Sequence, residues 1–389
     1  MKSNFEFLDR YWPALAQIGA AAESYVYSDA NACLYKLGMF GERLILEIFA
    51  FEHIKEPTVD NTHSNRIRLL KREGLIPKKI DDILYALRKT RNDAVHAGAD
   101  SVEDAKTLLS MTYNLAVWFM EVYGDWGYIA PAFVMPENVA QPDYEAIIKE
   151  QEEKIAALSK QVEAVSTAAS SKTSKERAEK GETASESMEL SEAETRYLID
   201  EQLRKFGWEA DTNNLRYSKG TRPQKGRNLA IAEWPTDSAV GKNGYADYAL
   251  FVGLKLVGIV EAKKAAIDIP SVIDHQCKEY AKGIKAEHKE YIINQWGYYK
   301  VPFVFATNGR KYLKQIETKS GIWYLDLRGG ANAPKALQGW ISPQGLMEQL
   351  EKDIAAANAA LQNTPFDLLR DPDGLNLRKY QISAIEAAE

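Results

Sequence analysis

Three charged residues in one short stretch have the types and the spacing that suit phosphodiester hydrolysis. The stretch GYADYALFVGLKLVGIVEAKK covers residues 244–264 and consists of two apolar runs, with Asp247 near the start of the first and Glu261 and Lys263 at the end of the second. Because side chains alternate along a strand, Glu261 and Lys263 share one face. Two carboxylates can hold Mg²⁺ through their oxygens, and a neighbouring ammonium can orient a water or balance the charge on a phosphate.

The two acids come together only if this stretch folds into a hairpin. A three-residue turn at 253–255 would set Val252 opposite Leu256 and Asp247 opposite Glu261. Directly opposed residues have Cβ atoms about 4.5–5.5 Å apart, which is close enough for two carboxylates to share one cation. Like charges in this position destabilise a sheet unless something neutralises them, and a divalent metal ion would do so.

The same spacing allows a structural alternative. Asp247 and Glu261 could end their strands at the surface and pair there with Lys263 and Lys264. Spacing alone leaves the two interpretations equally favoured, so the choice depends on residues elsewhere in the chain.

A resemblance to a nuclease family favours the metal site. Asp247, thirteen intervening residues and then Glu-x-Lys ending at Lys263 resemble the bipartite motif of the restriction-endonuclease-like superfamily, in which the acids bind Mg²⁺ and the lysine assists the attacking water. The segment HQCKEY adds Gln276 and Tyr280, which resemble the Gln-xxx-Tyr motif of the RecB-like branch. Their spacing puts both on one helical face, from which they can point at the site. The resemblance implies catalytic roles for all five residues, with Asp247 and Glu261 as metal ligands.

Two further segments resemble parts of a larger enzyme. Glu194, in the first predicted helix of the nuclease region, matches an acid that this superfamily often carries there. The segment LRKYQISAIEAAE at the C-terminus resembles the start of the motor domain of superfamily-two helicases, where a glutamine in the place of Gln381 contacts adenine. No G-x-x-x-x-G-K-[ST] phosphate loop occurs, so we expect this chain neither to hydrolyse ATP nor to translocate.

A nuclease followed by a helicase opening resembles the restriction (R) subunit of type I restriction-modification enzymes. The resemblance implies double-stranded DNA as substrate, Mg²⁺ as cofactor, ATP only in a longer protein that includes the motor, and partnership with methyltransferase (M) and specificity (S) subunits. Cleavage in this family is coupled to translocation. We therefore expect that a chain ending at the start of the motor cleaves DNA weakly or not at all.

A basic segment beside the predicted site could hold DNA. The segment RYSKGTRPQKGR contains no acid and is interrupted by glycine and proline. Such a loop can grip phosphates without reading bases, although a solvated surface loop is the alternative. The predicted DNA-binding residues are Arg216, Lys219, Arg222, Lys225 and Arg227.

The N-terminal helices contain a possible second site. Arg91 and His96 form an Arg-x4-His arrangement in RKTRNDAVHAG, which resembles a helical domain family whose catalytic members are ribonucleases. Residues 1–135 also resemble an uncharacterised helical domain found at the start of many type I restriction subunits. His96 could act as acid or base with Arg91 steadying a phosphate. The favoured alternative is that these residues join helices by hydrogen bonds, and a docking surface for the methyltransferase partner is a further possibility.

The sequence predicts a cytoplasmic protein. The 389 residues are 45% hydrophobic and carry a net charge of -6, and no apolar run approaches the roughly 20 residues of a membrane-spanning helix. The N-terminus lacks the layout of a signal peptide. Two cysteines and five scattered histidines offer neither a disulfide framework nor a zinc site.

Periodicity along the chain indicates a multi-domain α plus α/β protein, with a helical bundle followed by a mixed β-sheet flanked by helices. The resemblance implies that this sheet is restriction-endonuclease-like. A thin apolar stripe at 142–166 predicts a coiled coil, and the segment after it is too poor in large apolar residues to order itself. The predicted divisions are a helical bundle (1–135), a coiled-coil and low-complexity linker (136–190), the endonuclease domain (191–335) and a helical linker with the start of the motor (336–389).

Overall fold

A computed structural model describes the chain over residues 3–55, 60–138, 172–237, 244–263, 269–308, 321–329, 332–352 and 376–386. These residues form a helical region followed by one mixed β-sheet with helices on its faces. Within the same ranges, no helix is both long and apolar enough to cross a membrane.

Within the described ranges, five helices make up the N-terminal region. They are α1 (Pro13–Tyr25), α2 (Ala30–Phe51), α3 (His63–Arg72), α4 (Lys78–Ala97) and α5 (Val102–Phe119), and α5 continues through a π-helical turn at Met120–Gly124. Local capping begins three of them, because the side chains of Asp29, Thr62 and Ser101 accept hydrogen bonds from backbone N–H groups of the first turn. Gly98 ends α4 in the left-handed conformation, with φ at 65°.

These helices pack around an aliphatic and aromatic core. Phe5 contacts Phe40 and Tyr113 at ring-centroid distances of 5.5 and 6.2 Å, and Trp12 contacts Phe119 at 4.3 Å. The apolar faces that helical periodicity marks in the sequence are the faces buried in this core. The predicted helical N-terminal region is therefore confirmed.

The prediction that the segment before residue 191 cannot order itself is wrong for its described part, residues 172–190. A helix, α6 (Ser174–Ser187), occupies this segment. It begins with a capping box, in which Thr173 and Glu176 each bond the other's backbone N–H. The coiled coil predicted for 142–166 lies outside the described residues.

Helix α6 packs through a buried ion pair and small residues instead of an apolar stripe. Arg177 donates from Nε and Nη2 to the two carboxylate oxygens of Glu52, each at 2.7 Å. Trp118 Nε1 donates to the carbonyl of Gly181 at 3.0 Å, and Ala184 is buried beside them. Such contacts leave almost no trace in hydrophobic periodicity, which explains the wrong prediction.

In the described residues the sheet has seven strands, ordered as they occur in the chain. The strands are β1 (Glu209–Ala210), β2 (Asn228–Pro235), β3 (Tyr245–Val252), β4 (Lys255–Ala262), β5 (Phe303–Thr307), β6 (Ile322–Asp326) and β7 (Lys335–Leu337). The β1–β2 and β4–β5 pairs are parallel and the other pairs are antiparallel. The five longer strands lie on the apolar runs that predict strands from the sequence, which are NLAIAEWP, GYADYALFVG, LKLVGIVEAKK, VPFVFATNGR and GIWYLDL, whereas β1 and β7 are too short to leave a pattern.

Helices cover both faces of the sheet, as the predicted α plus α/β class requires. The α-helices of the described residues from 191 onwards are α7 (Glu192–Lys205), α8 (Ile269–Val272, a π-helical turn at Ile273–Cys277, and Lys278–Lys282), α9 (Pro343–Glu351) and α10 (Lys379–Glu386), of which α7, α8 and α9 contribute to the cores beside the sheet. Ile199 and Leu203 of α7 pack on one face, and Ile273 and Cys277 of α8 pack on the other. Helix α7 also places Leu198 in the core of the N-terminal helices. The boundaries at 135, 190 and 335 stay predictions.

Helix α8 is shorter than its sequence suggested. The segment 270–287 predicts one continuous helix, but the helix ends at Lys282 and Gly283 follows it. The separate 3₁₀ segment Ala286–Tyr291 comes after this break. The shorter helix still includes both residues of the Gln-xxx-Tyr pattern.

The turn between β3 and β4 differs from the predicted one. Val252 pairs with Lys255, which leaves Gly253 and Leu254 as a two-residue turn in place of the predicted three. Gly253 has a φ of 59°, a left-handed conformation that tight hairpin turns require and that glycine adopts without strain.

Candidate functional site

A β-bulge restores the register on which the carboxylate pair depends. The register of β3 and β4 shifts by one residue between Leu250 and Phe251, so that Tyr248 pairs with Val260 further along. Continued by one residue, this register sets Asp247 opposite Glu261. The predicted juxtaposition therefore holds, but a two-residue turn and a bulge produce it together.

Asp247 and Glu261 contact each other in a largely buried position. Their carboxyl groups are close enough for the charge of Asp247 to raise the pKa of Glu261, and Asp247 Oδ2 accepts from the backbone N–H of Ala262 at 2.7 Å. Only 4% of Glu261 is exposed, and 15% of the Asp247 side chain. Water therefore screens the repulsion between the two carboxylates only weakly.

Glu261 carries an oxygen that the described protein leaves unsatisfied. Its Oε1 forms an ion pair with Lys263 Nζ and accepts from Gln276 Nε2 at 2.8 Å. Its Oε2 is buried and has no hydrogen-bond partner among the described residues. Burial, and then the charge of Asp247, raise the pKa of Glu261, while Lys263 opposes this shift. A proton or a cation is needed at this oxygen.

Gln276 and Tyr280 support this arrangement from α8. Gln276 lies in the π-helical turn, and its Nε2 donates to Glu261 Oε1 and to Tyr280 Oη, each at 2.8 Å. Tyr280 is fully buried, and burial raises the pKa of its hydroxyl. The two side chains of the predicted motif thus meet each other and one of the predicted metal ligands.

The donor set fits a cation that keeps most of its water. No group of three or more His, Cys, Asp or Glu side chains in the described part of the chain is arranged to hold a metal ion. Two carboxylates with one unsatisfied buried oxygen are sufficient for Mg²⁺, which commonly takes one or two protein carboxylates plus water and phosphate oxygens. The histidine and cysteine ligands that zinc prefers are not part of this pair.

Two residues that sequence reasoning missed complete the surroundings. Arg196 of α7 donates from Nη2 to Asp247 Oδ1 at 2.6 Å and pairs through Nη1 with Glu233 Oε1 at 3.3 Å. Glu233 lies in β2 with a φ of 51°, which is unusual for a residue other than glycine and strains the backbone. The one available signal was a single acid inside the apolar run NLAIAEWP.

A polar cleft of about 510 Å³ lies between the N-terminal helices and the sheet. It is lined by Lys89, Asp93 and Asp104 on the helical side and by Arg196 and Glu233 beside the carboxylate pair. Asp247 and Glu261 do not line it. Arg196 is thus a side chain that both faces the cleft and contacts the pair.

The predicted DNA-binding residues lie in an ordered loop. Three of them already have protein contacts, which are the Arg216–Glu233 pair at 3.2 Å, the Arg227–Glu209 pair at 2.6 Å and Arg222 over the Tyr217 ring at 3.7 Å. For the side chains of Lys219 and Lys225, no ion pair or hydrogen bond is found within the described ranges. A 3₁₀ turn at Tyr217–Lys219 makes this loop more structured than predicted, and its role in DNA binding stays a prediction.

Glu194 does not lie with the carboxylate pair. Its Oε2 accepts from the backbone N–H of Ser191 at 2.7 Å in a capping box, and its Oε1 accepts from Asn114 Nδ2 at 3.1 Å. These bonds use the carboxylate to begin α7 and to join it to α5. Arg196 is the side chain of this helix that reaches Asp247.

The possible second site shows structural contacts. Arg91 forms an ion pair with Glu42 and lies 5.2 Å from the centre of the Tyr35 ring. A Cβ at Gly38 would collide with the Arg91 side chain, so α2 and α4 are packed closely around it. These contacts favour the structural alternative for Arg91. The side chain of His96 lies outside the described part, so the ribonuclease hypothesis stays a prediction.

Gln381 lies in the first turn of α10. Its Oε1 accepts from the backbone N–H of Arg378 at 2.9 Å, as a local helix cap does. The predicted contact with adenine concerns a longer protein and stays a prediction.

Two parts of the chain match known protein families, and the whole chain matches one curated protein. Residues 209–350 match the family described as the second domain of the type I restriction enzyme EcoKI endonuclease subunit, and residues 20–161 match a domain of unknown function, DUF4145. The chain is 32% identical over 462 aligned positions to the type I restriction enzyme EcoKI endonuclease subunit of Escherichia coli (strain K12). That alignment covers the whole chain and 39% of the relative. No solved structure matches. The chain therefore belongs to the family of type I restriction enzyme endonuclease subunits.

Proposed function

We propose that this chain contains a Mg²⁺-dependent endonuclease module that hydrolyses phosphodiester bonds of double-stranded DNA, built on a restriction-endonuclease-like sheet. The observation that carries the proposal is the buried Asp247–Glu261 pair, with one unsatisfied oxygen and Lys263 at its edge. Family membership supports a restriction endonuclease role. The Gln276–Tyr280 contact with Glu261 supports the assignment to the RecB-like branch.

Each residue of the site has a chemical task in this proposal. Asp247 and Glu261 would hold Mg²⁺, which supplies a polarised phosphate and a more acidic water when it is bound. Lys263 keeps a positive charge at Glu261 Oε1 and can balance charge that develops on the phosphate. Gln276 fixes the rotamer of Glu261, and Tyr280 fixes that of Gln276.

The charge of the basic loop supports DNA as the substrate, and family membership supports the partner subunits. Lys219 and Lys225 are available to phosphates, and Arg216, Arg222 and Arg227 shape the loop that presents them. Within a complete enzyme we propose that cleavage of unmethylated DNA depends on an ATP-driven motor and on methyltransferase and specificity subunits. The chain spans 39% of the length of the curated relative, and the remaining length provides room for such a motor.

The proposal is tested by replacing Glu261 or Lys263 with alanine in the complete endonuclease subunit, assembled with its partner subunits. Cleavage of a plasmid that carries an unmethylated recognition site should fall by about 10³-fold or more, because both groups act on the developing charge. ATP hydrolysis should continue at nearly the unmodified rate, since it belongs to a different part of the subunit.

Lys255→Ala is the matched control, because Lys255 is an exposed lysine at the opposite end of the same strand. It should cut DNA as the unmodified enzyme does. Cleavage by Lys263→Ala at the rate of this control would refute the assigned site.

A further inference from the structure

Arg196 occupies the side of Asp247 that a metal ion would share. Its guanidinium donates to Asp247 Oδ1 at 2.6 Å, while the backbone N–H of Ala262 donates to Oδ2 at 2.7 Å. Both oxygens of Asp247 are therefore already bonded, in contrast to Glu261 with its unsatisfied Oε2. The Arg196 side chain is only 12% exposed, so water screens its charge weakly.

Glu233 offers Arg196 an alternative partner on the neighbouring strand. The guanidinium already reaches Glu233 Oε1 at 3.3 Å, and Arg216 holds Oε2 of the same carboxylate at 3.2 Å. The backbone of Glu233 is strained in this position, with a φ of 51°. A small movement of Arg196 towards Glu233 would free Asp247 Oδ1 for a metal ion, while the guanidinium itself would stay paired.

The N-terminal helices hold the helix that carries Arg196. A hydrogen bond of 2.8 Å joins Tyr197 Oη to Thr90 Oγ1 of α4, and Lys89 pairs with Glu201 at 3.3 Å. Leu198 packs in the core of the helical region. The position of Arg196 over Asp247 is therefore set by α7, and α7 is set in part by the helical region.

We propose that Arg196 is a positioning residue that competes with the metal ion for Asp247, and that the N-terminal helices set this competition through α7. The inference rests on the proposed function, because competition presupposes a metal site at Asp247 and Glu261. With Arg196 on Asp247, a divalent ion meets a like charge; with Arg196 drawn to Glu233, the site is open. In this proposal the N-terminal helices influence metal binding through α7 and need no catalytic residues.

The first experiment measures Mg²⁺ binding to this chain by isothermal titration calorimetry. Arg196→Gln should bind Mg²⁺ about 5- to 30-fold more tightly, because a neighbouring positive charge is removed. Arg196→Lys, which keeps the charge, should bind nearly as the unmodified chain does. Arg72→Gln is the control, since it also removes one positive charge but lies in α3, where Arg72 is exposed and pairs with Glu73, and it should not change the affinity.

The second experiment tests the connection to the helical region. Tyr197→Phe removes the bond to Thr90 and should tighten Mg²⁺ binding about two- to fivefold, in an otherwise folded chain. In the Arg196→Gln background the same substitution should have no effect, because its influence acts through Arg196. Glu233→Gln, which removes the alternative partner, should weaken Mg²⁺ binding and should also lose its effect in that background.

Asp247→Asn distinguishes a failure of the proposed metal site from a failure of the proposed role of Arg196. If Asp247→Asn binds Mg²⁺ as the unmodified chain does, the metal site itself is wrong and the proposed function fails. If Asp247→Asn abolishes binding while Arg196→Gln binds no more tightly than Arg72→Gln, the metal site stands and the inference about Arg196 is overturned. Additive effects of Tyr197→Phe and Arg196→Gln would overturn the connection through α7.

Discussion

Glu52 in the helical region and Glu261 in the sheet are both buried carboxylates, and their surroundings differ in one respect. Both oxygens of Glu52 are bonded, to Arg177 and to Ser174, each at 2.7 Å. Burial alone would raise the pKa of Glu52, but these hydrogen bonds outweigh it and lower the pKa. Glu261 faces a second carboxylate instead, and its Oε2 has no partner among the described residues.

The difference separates a carboxylate that the fold satisfies from one that it leaves with an unsatisfied oxygen. A buried carboxylate whose oxygens are all bonded needs nothing from solution and can join two elements, as Glu52 joins α2 to α6. A buried pair of carboxylates with an unsatisfied oxygen is stable only with a proton or a cation. The Glu52 carboxylate is therefore satisfied by the fold alone, whereas Glu261 keeps one oxygen that a ligand from solution could bind.

Breaking the completed pair should have the largest effect on stability. Arg177→Ala leaves the Glu52 carboxylate buried without its partner, and we expect the free energy of unfolding to fall by about 3–5 kcal/mol in chemical denaturation. Mg²⁺ binding should not change.

Arg72→Ala is the control for this prediction, because it removes a much more exposed pair with Glu73. Its expected effect is about 0–1 kcal/mol. A loss for Arg177→Ala no greater than that of Arg72→Ala would contradict the structural role of the Arg177–Glu52 pair.

Asp200 of α7 is an intermediate case, a buried carboxylate bonded by neutral donors. Thr212 donates to it from its backbone N–H at 2.7 Å and from Oγ1 at 3.0 Å. Burial outweighs these bonds and raises the pKa of Asp200 to about 6. Because the pKa is higher in the folded than in the unfolded chain, Asp200 lowers stability as the pH rises from about 4 to 6, and the loss is complete above that range.

Asp200→Asn cannot ionise and removes this pH dependence. The unfolding free energy of the variant relative to the unmodified chain should increase by about 2–3 kcal/mol between pH 4 and pH 7. Denaturation curves at several pH values measure the difference. A difference that stays constant over this range would show that Asp200 keeps an ordinary acidity in the folded chain.

The smallest expected effect on stability has the opposite sign. In the presence of a chelator, Glu261→Gln should raise the free energy of unfolding by about 1 kcal/mol, because it removes the repulsion between two buried carboxylates. Millimolar Mg²⁺ should raise the melting temperature of the unmodified chain but not that of Glu261→Gln. Equal Mg²⁺-induced shifts in both proteins would mean that the ion binds elsewhere.

Local patterns were sufficient to predict most of the strands and the position of the acids. Alternation and apolar runs mark β2 to β6, and the register that brings Asp247 opposite Glu261 was predicted from a turn that does not exist. The result survived because the bulge adds back the residue that the shorter turn removes. A pattern of period two predicts which residues can face each other more reliably than how the chain turns.

Other contacts could not be predicted, for two physical reasons. Arg196 and Asp247 are separated by 51 positions, and no local periodicity relates residues at that distance. Helix α6 is held in place by a buried ion pair and small residues. Such contacts leave almost no apolar stripe from which the helix could be predicted. Glu194 has the residue type and the helix position of the predicted acid, but its carboxylate bonds in the capping box at Ser191, so its role in the site stays a prediction.

The amino-acid sequence by itself determined the chemistry available to this protein: two acids and a lysine at strand ends, and a glutamine and a tyrosine one helical turn apart. These follow from residue types and short-range spacing, which are properties of the local chain. Tertiary structure alone decided which carboxylate is left unsatisfied, which arginine stands over Asp247 and which helices hold that arginine. Burial and long-range contact determine the energy of a charge, and both exist only once the chain has folded.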